Sequence, residues 1–439
     1  MSKILVNILS VIITSFYFFP FEFVFVPGIN TKMALAGIGL IVFIKNVAQN
    51  RSGVIDKDFF SLSIIALIIS LFSFITMTYN NTPDYSFLTY FVSMWVWLGG
   101  AYAVTRWLKM VYGHVSVLLV CDYLIAVCVV QCLLAFAMDV YSPLKNLIDS
   151  LIGGEDAFMG KAEGRLYGIG AALDVAGLRF ASVMVIIGYL LSKTDEMNHK
   201  KVVFYLSAFI IIAVVGNMIS RTTTMGVGLA LAYWCYSSII LRQYMESKKL
   251  WMWLGGVLCV LLPIAIYLYN NDEWFYKNIR FGFEGFFSLW ETGKWEVSSN
   301  DILFDHMIVF PETFKTWIIG DGYAANPMDG PTADPYYIGP AFHGYYMGTD
   351  IGYLRYIFYF GVTGTLVFIG FMLKAALICI NRFKGYKMMF LMILLVNYIG
   401  WFKVSTDIFL VFAIFLCISL EEEEEAEEYR LSESKIGMV

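Results

Sequence analysis

Five arginines and one aspartate are the residues of this chain best suited to chemistry on a charged substrate: Arg165, Arg179, Arg221, Arg280, Arg355 and Asp350. The planar fork of an arginine gives a phosphate two parallel hydrogen bonds and cannot lose its charge, which suits a partly dry site. A lipid diphosphate fits that chemistry. Asp350 opens the apolar run that follows it and is the carboxylate placed to take a proton. Its alternative reading is an N-cap or first-turn acid that stabilises the helix.

Two of the arginines have informative surroundings. Arg221 lies in Gly216-Asn-Met-Ile-Ser-Arg-Thr-Thr-Thr224, a polar turn between apolar runs with no acid nearby in sequence. Its hydroxyls and the helix that starts there favour an anion. Arg165 lies in Gly164-Arg-Leu-Tyr-Gly-Ile-Gly-Ala-Ala-Leu-Asp-Val-Ala-Gly-Leu-Arg179, a glycine-punctuated entry where backbone can come close to a ligand. The rival reading for every arginine is snorkelling at a helix end or pairing with a carboxylate. His306 and His343 are weaker acid–base candidates, with Asp305 and Tyr345 suiting ordinary surface packing. Asp301, Asp305, Asp321, Asp329 and Asp334 lack ligand spacing, so neither a metal nor any other cofactor is expected. Lys403 and Asp407, one helical turn apart, are read as neutralising each other.

The elements that must position these residues are membrane spans. Hydrophobic residues make up 59% of the 439, charged ones 15%, and the mean hydropathy is +0.69, a balance for lipid rather than water. Apolar runs fall near 5–24, 33–47, 60–78, 87–108, 115–138, 177–191, 202–218, 225–241, 251–269, 351–373, 388–401 and 404–420. They predict an all-α polytopic protein of about twelve transmembrane helices, the longer runs sufficient by themselves for a hydrocarbon core of about 30 Å. No fixed repeat or linker divides the chain, so residues 1–439 read as one membrane domain.

Lysine and arginine mark the expected cytoplasmic side: Lys45, Arg51 and Lys57; Arg106 and Lys109; Lys193, Lys200 and Lys201; Arg242, Lys248 and Lys249; Arg382, Lys384 and Lys387. Both termini then lie in the cytoplasm, with loops 139–176 and 270–349 on the outer side. Arg165, Arg179, Arg221, Arg280 and Arg355 break the bias at the outer edge, which points to an anion held there. Lys3 begins an uncleaved first span, and the acidic tail 421–439 reads as a solvated helical end. All seven cysteines lie in apolar runs, so neither a disulfide nor a thiolate metal site is expected.

The motifs in combination resemble the bacterial O-antigen polymerases and ligases. The carriers are the Arg165–Arg179 entry, the Ser220-Arg221 turn, and a large loop containing Trp317-Ile-Ile-Gly-Asp-Gly322. After the loop come Thr349-Asp350, Tyr353-Leu354, Gly361 and Gly364. The likeness covers roughly 164–364. Ligases usually carry a His-Asn pair where this chain has Thr349-Asp350, so it is more similar to a Wzy-type polymerase.

That resemblance implies a GT-C-like architecture and a metal-independent glycosyltransferase at the periplasmic face of the bacterial inner membrane. Its partners would be an undecaprenyl diphosphate-linked oligosaccharide and membrane lipids, with a chain-length regulator protein as an open alternative and no nucleic acid. Asp350, Arg221 and Arg165 would be catalytic, and Arg179, Arg280, Arg355, His343 and Tyr353 would bind diphosphate or glycan. An O-antigen ligase and a lipid-linked oligosaccharide flippase or other transporter stay open as alternatives.

Overall fold

The computed structural model describes residues 2–50, 57–153, 165–193, 198–239, 244–329 and 333–436. Arg51, Gly164 and Arg242 lie outside these segments, as do the side chains of Lys248 and Lys249. The chain is almost wholly helical. In order, the first half contains α1 (Lys3–Phe18), α2 (Thr31–Asn50), α3 (Lys57–Asn80), α4 (Tyr90–Tyr112), α5 (Val117–Val140), α6 (Ser142–Leu151), α7 (Leu173–Leu191), α8 (His199–Ile219) and α9 (Thr223–Ile239). The second half contains α10 (Tyr244–Asn271), α11 (Glu273–Gly282), α12 (Glu284–Thr292), α13 (Ser298–His306), α14 (Phe314–Ile318), α15 (Gly352–Arg382), α16 (Lys387–Gly400), α17 (Phe409–Leu416) and α18 (Leu420–Ile436). Two two-residue strands, β1 (Glu22–Phe23) and β2 (Ile152–Gly153), pair antiparallel with Glu22 opposite Gly153.

Among the described residues seven helices are long and apolar enough to cross a membrane: α2, α3, α5, α7, α8, α15 and the Trp251–Asn271 stretch of α10. Their exposed faces are apolar, as a hydrocarbon solvent requires. In α10, Leu258, Val260, Leu262, Ile264 and Ile266 are all exposed, and none of its apolar window is buried.

α7 is the opposite case. Every residue from Ala176 to Leu191 is buried, and α8, α9 and α16 pack around it. The sequence allows this because α7 is almost wholly apolar beyond Asp174 in its first turn and Arg179 in its second. α15 packs on α3, and the short α17, buried throughout, lies against α4 and α15.

The acidic tail departs from the solvated end read from the sequence. α18 is helical, yet Glu422 and Glu423 are buried. Glu422 pairs with Arg106 at 2.7 Å and with Lys109 at 2.8 Å, and Glu423 accepts from the Val117 amide at 2.6 Å, capping α5. Local composition makes this run look solvated because its partners come from α4 and α5, some three hundred positions earlier.

Candidate functional site

At the N-terminal end of α7 the backbone is set for presentation. Leu173 takes a left-handed φ of 53°, a conformation a β-substituted residue adopts at a cost of about 1 kcal/mol or more. It delivers Asp174 toward the α8–α9 turn. α8 widens into a π turn over Ile212–Gly216 just before that junction, a deviation often found beside functional sites.

Ser220 and Thr222 donate to Asp174 Oδ1 at 3.0 and 2.5 Å, while Asn217 and Thr224 bond to each other at 2.6 Å. Gly177, one turn into α7, is required by this contact, since a Cβ there would lie 2.5 Å from Ser220 Oγ. With both hydroxyls engaged by Asp174, Arg221 at the tip of the turn is left to line the cavity beside them.

Arg221 pairs with Glu284 at the start of α12. Its side chain is 16% exposed, and burial lowers its pKa; Glu284 pulls it back up and Arg165 lowers it further. The guanidiniums of Arg165 and Arg221 lie over one ring, Phe281, with Cζ 5.1 and 4.3 Å from its centroid. Lys403 approaches Asp174 at 3.7 Å from the loop after α16.

These groups meet in one cavity of about 180 Å³. Arg165, Asp174, Arg221, Asp350 and Lys403 line it, with Ser299 and Leu303 of α13 on the loop side. A neighbouring cavity of about 320 Å³ shares Arg221, Ser299 and Lys403 and continues past Glu284 to Trp295. Three cations, an ordered acid and a second carboxylate at the opening of α15 can bind a polyanion and take up a proton.

Arg165, Arg221 and Asp350 are thus brought together. The other predicted residues line neither cavity. Arg179 is buried lower on α7 over Phe19, at 5.6 Å. Arg280 makes a bidentate pair with Glu291 at 2.6 and 2.8 Å and also donates to Tyr269 Oη. Arg355 stacks on Tyr345 at 3.4 Å and donates to the Ala324 carbonyl. His343 is exposed in its loop, and Tyr353 donates to the Tyr398 carbonyl at 2.9 Å.

Asp350 precedes α15 by two residues; beside it Thr349 Oγ1 accepts from the amide of Ile351, the residue that opens the helix, at 3.2 Å. Trp317–Gly322 anchors the loop: Gly322 and Asp321 amides bond Tyr359 and Phe358 carbonyls of α15, and Thr76, Asn80 and Thr82 of the α3 end hold the turn's carbonyls. Asp84 fixes the next two amides, Ala324 and Ala325.

Three site residues escaped the sequence reading. Lys403 turns to Asp174 and the cavity rather than to Asp407, because the 401–408 segment is not a continuous helix and one-turn spacing loses its meaning. Asp407 instead accepts from the Phe409 amide at 2.9 Å. Asp174 and Glu284 carried no local signal beyond being acids near a helix start. Among the described residues no group of three or more His, Cys, Asp or Glu converges as a metal site would need.

Fold and cavity together define a polytopic helical membrane protein with a mixed-charge, arginine-bearing cleft under an extramembrane loop. No family model matches the chain, and no curated protein or solved structure matches it.

Proposed function

We propose that this protein is a polysaccharide polymerase of the O-antigen type, moving a growing glycan from undecaprenyl diphosphate onto the next lipid-linked repeat unit. One observation carries the reading: Arg165, Arg221 and Asp350, from three separate stretches of sequence, line a single cavity. In this reading α1, α4, α9, α16 and α17 complete a set of about twelve spans around the seven long helices. The architecture is GT-C-like, both termini are cytoplasmic, and the cavity faces the periplasm.

The chemistry needs no group beyond these side chains. An acceptor hydroxyl oxygen attacks the anomeric carbon of the donor glycan, and the carbon–oxygen bond to the diphosphate breaks. Asp350 takes the hydroxyl proton, and undecaprenyl diphosphate leaves with the bonding electron pair. Arg165, Arg221 and Lys403 stabilise the charge that develops on it. Off the cavity, Arg280, Arg355 and Tyr353 act at a distance by holding loop and helix ends, while Arg179 and His343 are left to contact the glycan or lipid beyond the cavity.

Incubating the purified protein with its undecaprenyl diphosphate-linked repeat unit tests this directly. A ladder of polymer with released undecaprenyl diphosphate is expected, persisting with chelator and lost in Arg221→Ala and Asp350→Asn. No ladder from folded protein given its native repeat unit refutes the reading in favour of ligation or transport.

A further inference from the structure

The end of the bundle away from Arg221 carries a second cationic cavity. α15 places two cations there, and they are treated differently. Arg382 is fully committed: Nη1 donates to the Leu416 and Ile418 carbonyls at 2.8 and 2.9 Å, and Nη2 to Asp58 at 2.9 Å. It thereby satisfies carbonyls at the end of α17.

Lys374 lies eight residues earlier, about 12 Å deeper along the helix. It is half-buried, and among the described residues it has neither a carboxylate partner nor a hydrogen bond. Its flank is hydrocarbon-facing: Leu366 is exposed, as are Leu373 and Leu377 on either side of the lysine. An isolated ammonium at that depth is costly and marks a functional site by default.

A cavity of about 490 Å³ opens beside Lys374, with Asn381 and Ser419 on its polar wall and Leu377 and Leu420 on its apolar one. Ser419 Oγ accepts from the Glu422 amide, which leaves its proton available to donate. Since Arg382 and Asp58 cancel, the cavity carries the one uncompensated charge of Lys374.

We propose that this cavity binds one anionic phospholipid. The single charge matches one phosphodiester, Asn381 and Ser419 supply neutral donors to it, and the Leu366–Leu373–Leu377 flank takes the acyl chains. The site is independent of the polymerase reading and stands in either leaflet.

The full-length protein in lipid-free detergent, titrated with phosphatidylglycerol or phosphatidylcholine and read by native mass spectrometry, tests it. Wild type is expected to retain one phosphatidylglycerol in preference to phosphatidylcholine. Lys374→Met should weaken phosphatidylglycerol about fivefold without affecting phosphatidylcholine, and Lys374→Arg should restore binding. Asn381→Leu, which spares the lysine, should weaken phosphatidylglycerol in the same direction and covers the case in which Lys374→Met fails to fold. Equal retention of the two lipids, or unchanged phosphatidylglycerol binding in the folded variants, overturns the proposal. Displacement of the lipid by millimolar inorganic phosphate overturns it too, by assigning the cavity to free phosphate.

Discussion

Arg165 and Arg221 lie over the same ring, Phe281, one from the entry to α7 and the other from the turn before α9. Two guanidiniums held this close repel each other, and an anion placed between them relieves the repulsion. Phe281 comes from α11, so the extramembrane loop sets the spacing of two membrane-edge arginines. Phe281→Ala is expected to slow polymer formation about tenfold, and Phe281→Tyr to preserve the rate. Initial rates of ladder growth check this, and an unchanged rate in Phe281→Ala means the ring does not hold the pair.

Arg221→Lys keeps a positive charge but loses the planar fork. Because stabilisation of a leaving diphosphate depends on two directed hydrogen bonds, the lysine variant is expected to lose about a hundredfold in rate rather than recover it. A single-turnover comparison of wild type, Arg221→Lys and Arg221→Ala decides between directed bonding and charge alone. Equal rates in wild type and Arg221→Lys would leave charge alone as the requirement.

The sequence made these arginines visible because they fall outside the clusters of lysine and arginine that it assigns to one side of the membrane, and hydropathy located the apolar runs that became α2, α3, α5, α7 and α8. What pairs with the arginines was not legible. Glu284 reaches Arg221 across sixty-three positions, and Lys403 reaches Asp174 across more than two hundred. Local spacing misassigned Lys403 because the pairing rule assumes a helix, and 404–408 is irregular backbone. The same holds for Trp317–Gly322: it reads as a motif, but only the packed structure makes it an anchor on α15.

Glu284 occupies the place an anion would take on Arg221. Glu284→Gln removes that competition while keeping the shape, so the KM for lipid-linked substrate is expected to fall about fivefold. Ser298 also bonds this carboxylate at 3.4 Å, and the amide can keep that contact. A KM that rises instead would make Glu284 a ligand for the sugar rather than a competitor.

Asp174 is the opposite kind of acid, one whose loss leaves others stranded. Asp174→Ala removes the acceptor of Ser220 and Thr222 and the partner of Lys403, at an expected cost of about 2 kcal/mol. Asp174→Asn, which keeps an acceptor for the hydroxyls, should recover most of the stability and little of the activity. Thermal unfolding and ladder assays on the two variants separate the contributions.

Arg280 and Glu291 give a pH signature that arises outside the cavity. The bidentate guanidinium holds the Glu291 carboxyl below its ordinary range. With the folded value depressed, the pair's stabilisation is present above the unfolded carboxyl pKa and is lost as pH falls through the folded one. The melting difference between wild type and Glu291→Gln is therefore expected to be constant near neutrality and to shrink toward zero in acid. A difference that persists in strong acid would place its origin in packing.

The sharpest backbone requirement is at Gly361, where α15 breaks against the loop anchor. Its φ of 68° and ψ of −178° lie in a region open essentially to glycine alone. A Cβ there would sit 2.2 Å from the Ile318 carbonyl oxygen, so the obstacle is backbone that cannot swing aside. Gly361→Ala is expected to cost about 3 kcal/mol, combining the dihedral strain with the clash. Gly364→Ala is the comparison, since its obstacle is the Phe360 ring and its φ is not left-handed, so its cost should be smaller. If the two variants melt together, the break in α15 is not what holds Trp317–Gly322 against the membrane helices. If Gly361→Ala alone falls and takes ladder formation with it, the anchor is what keeps α13 and Asp350 facing across the cavity.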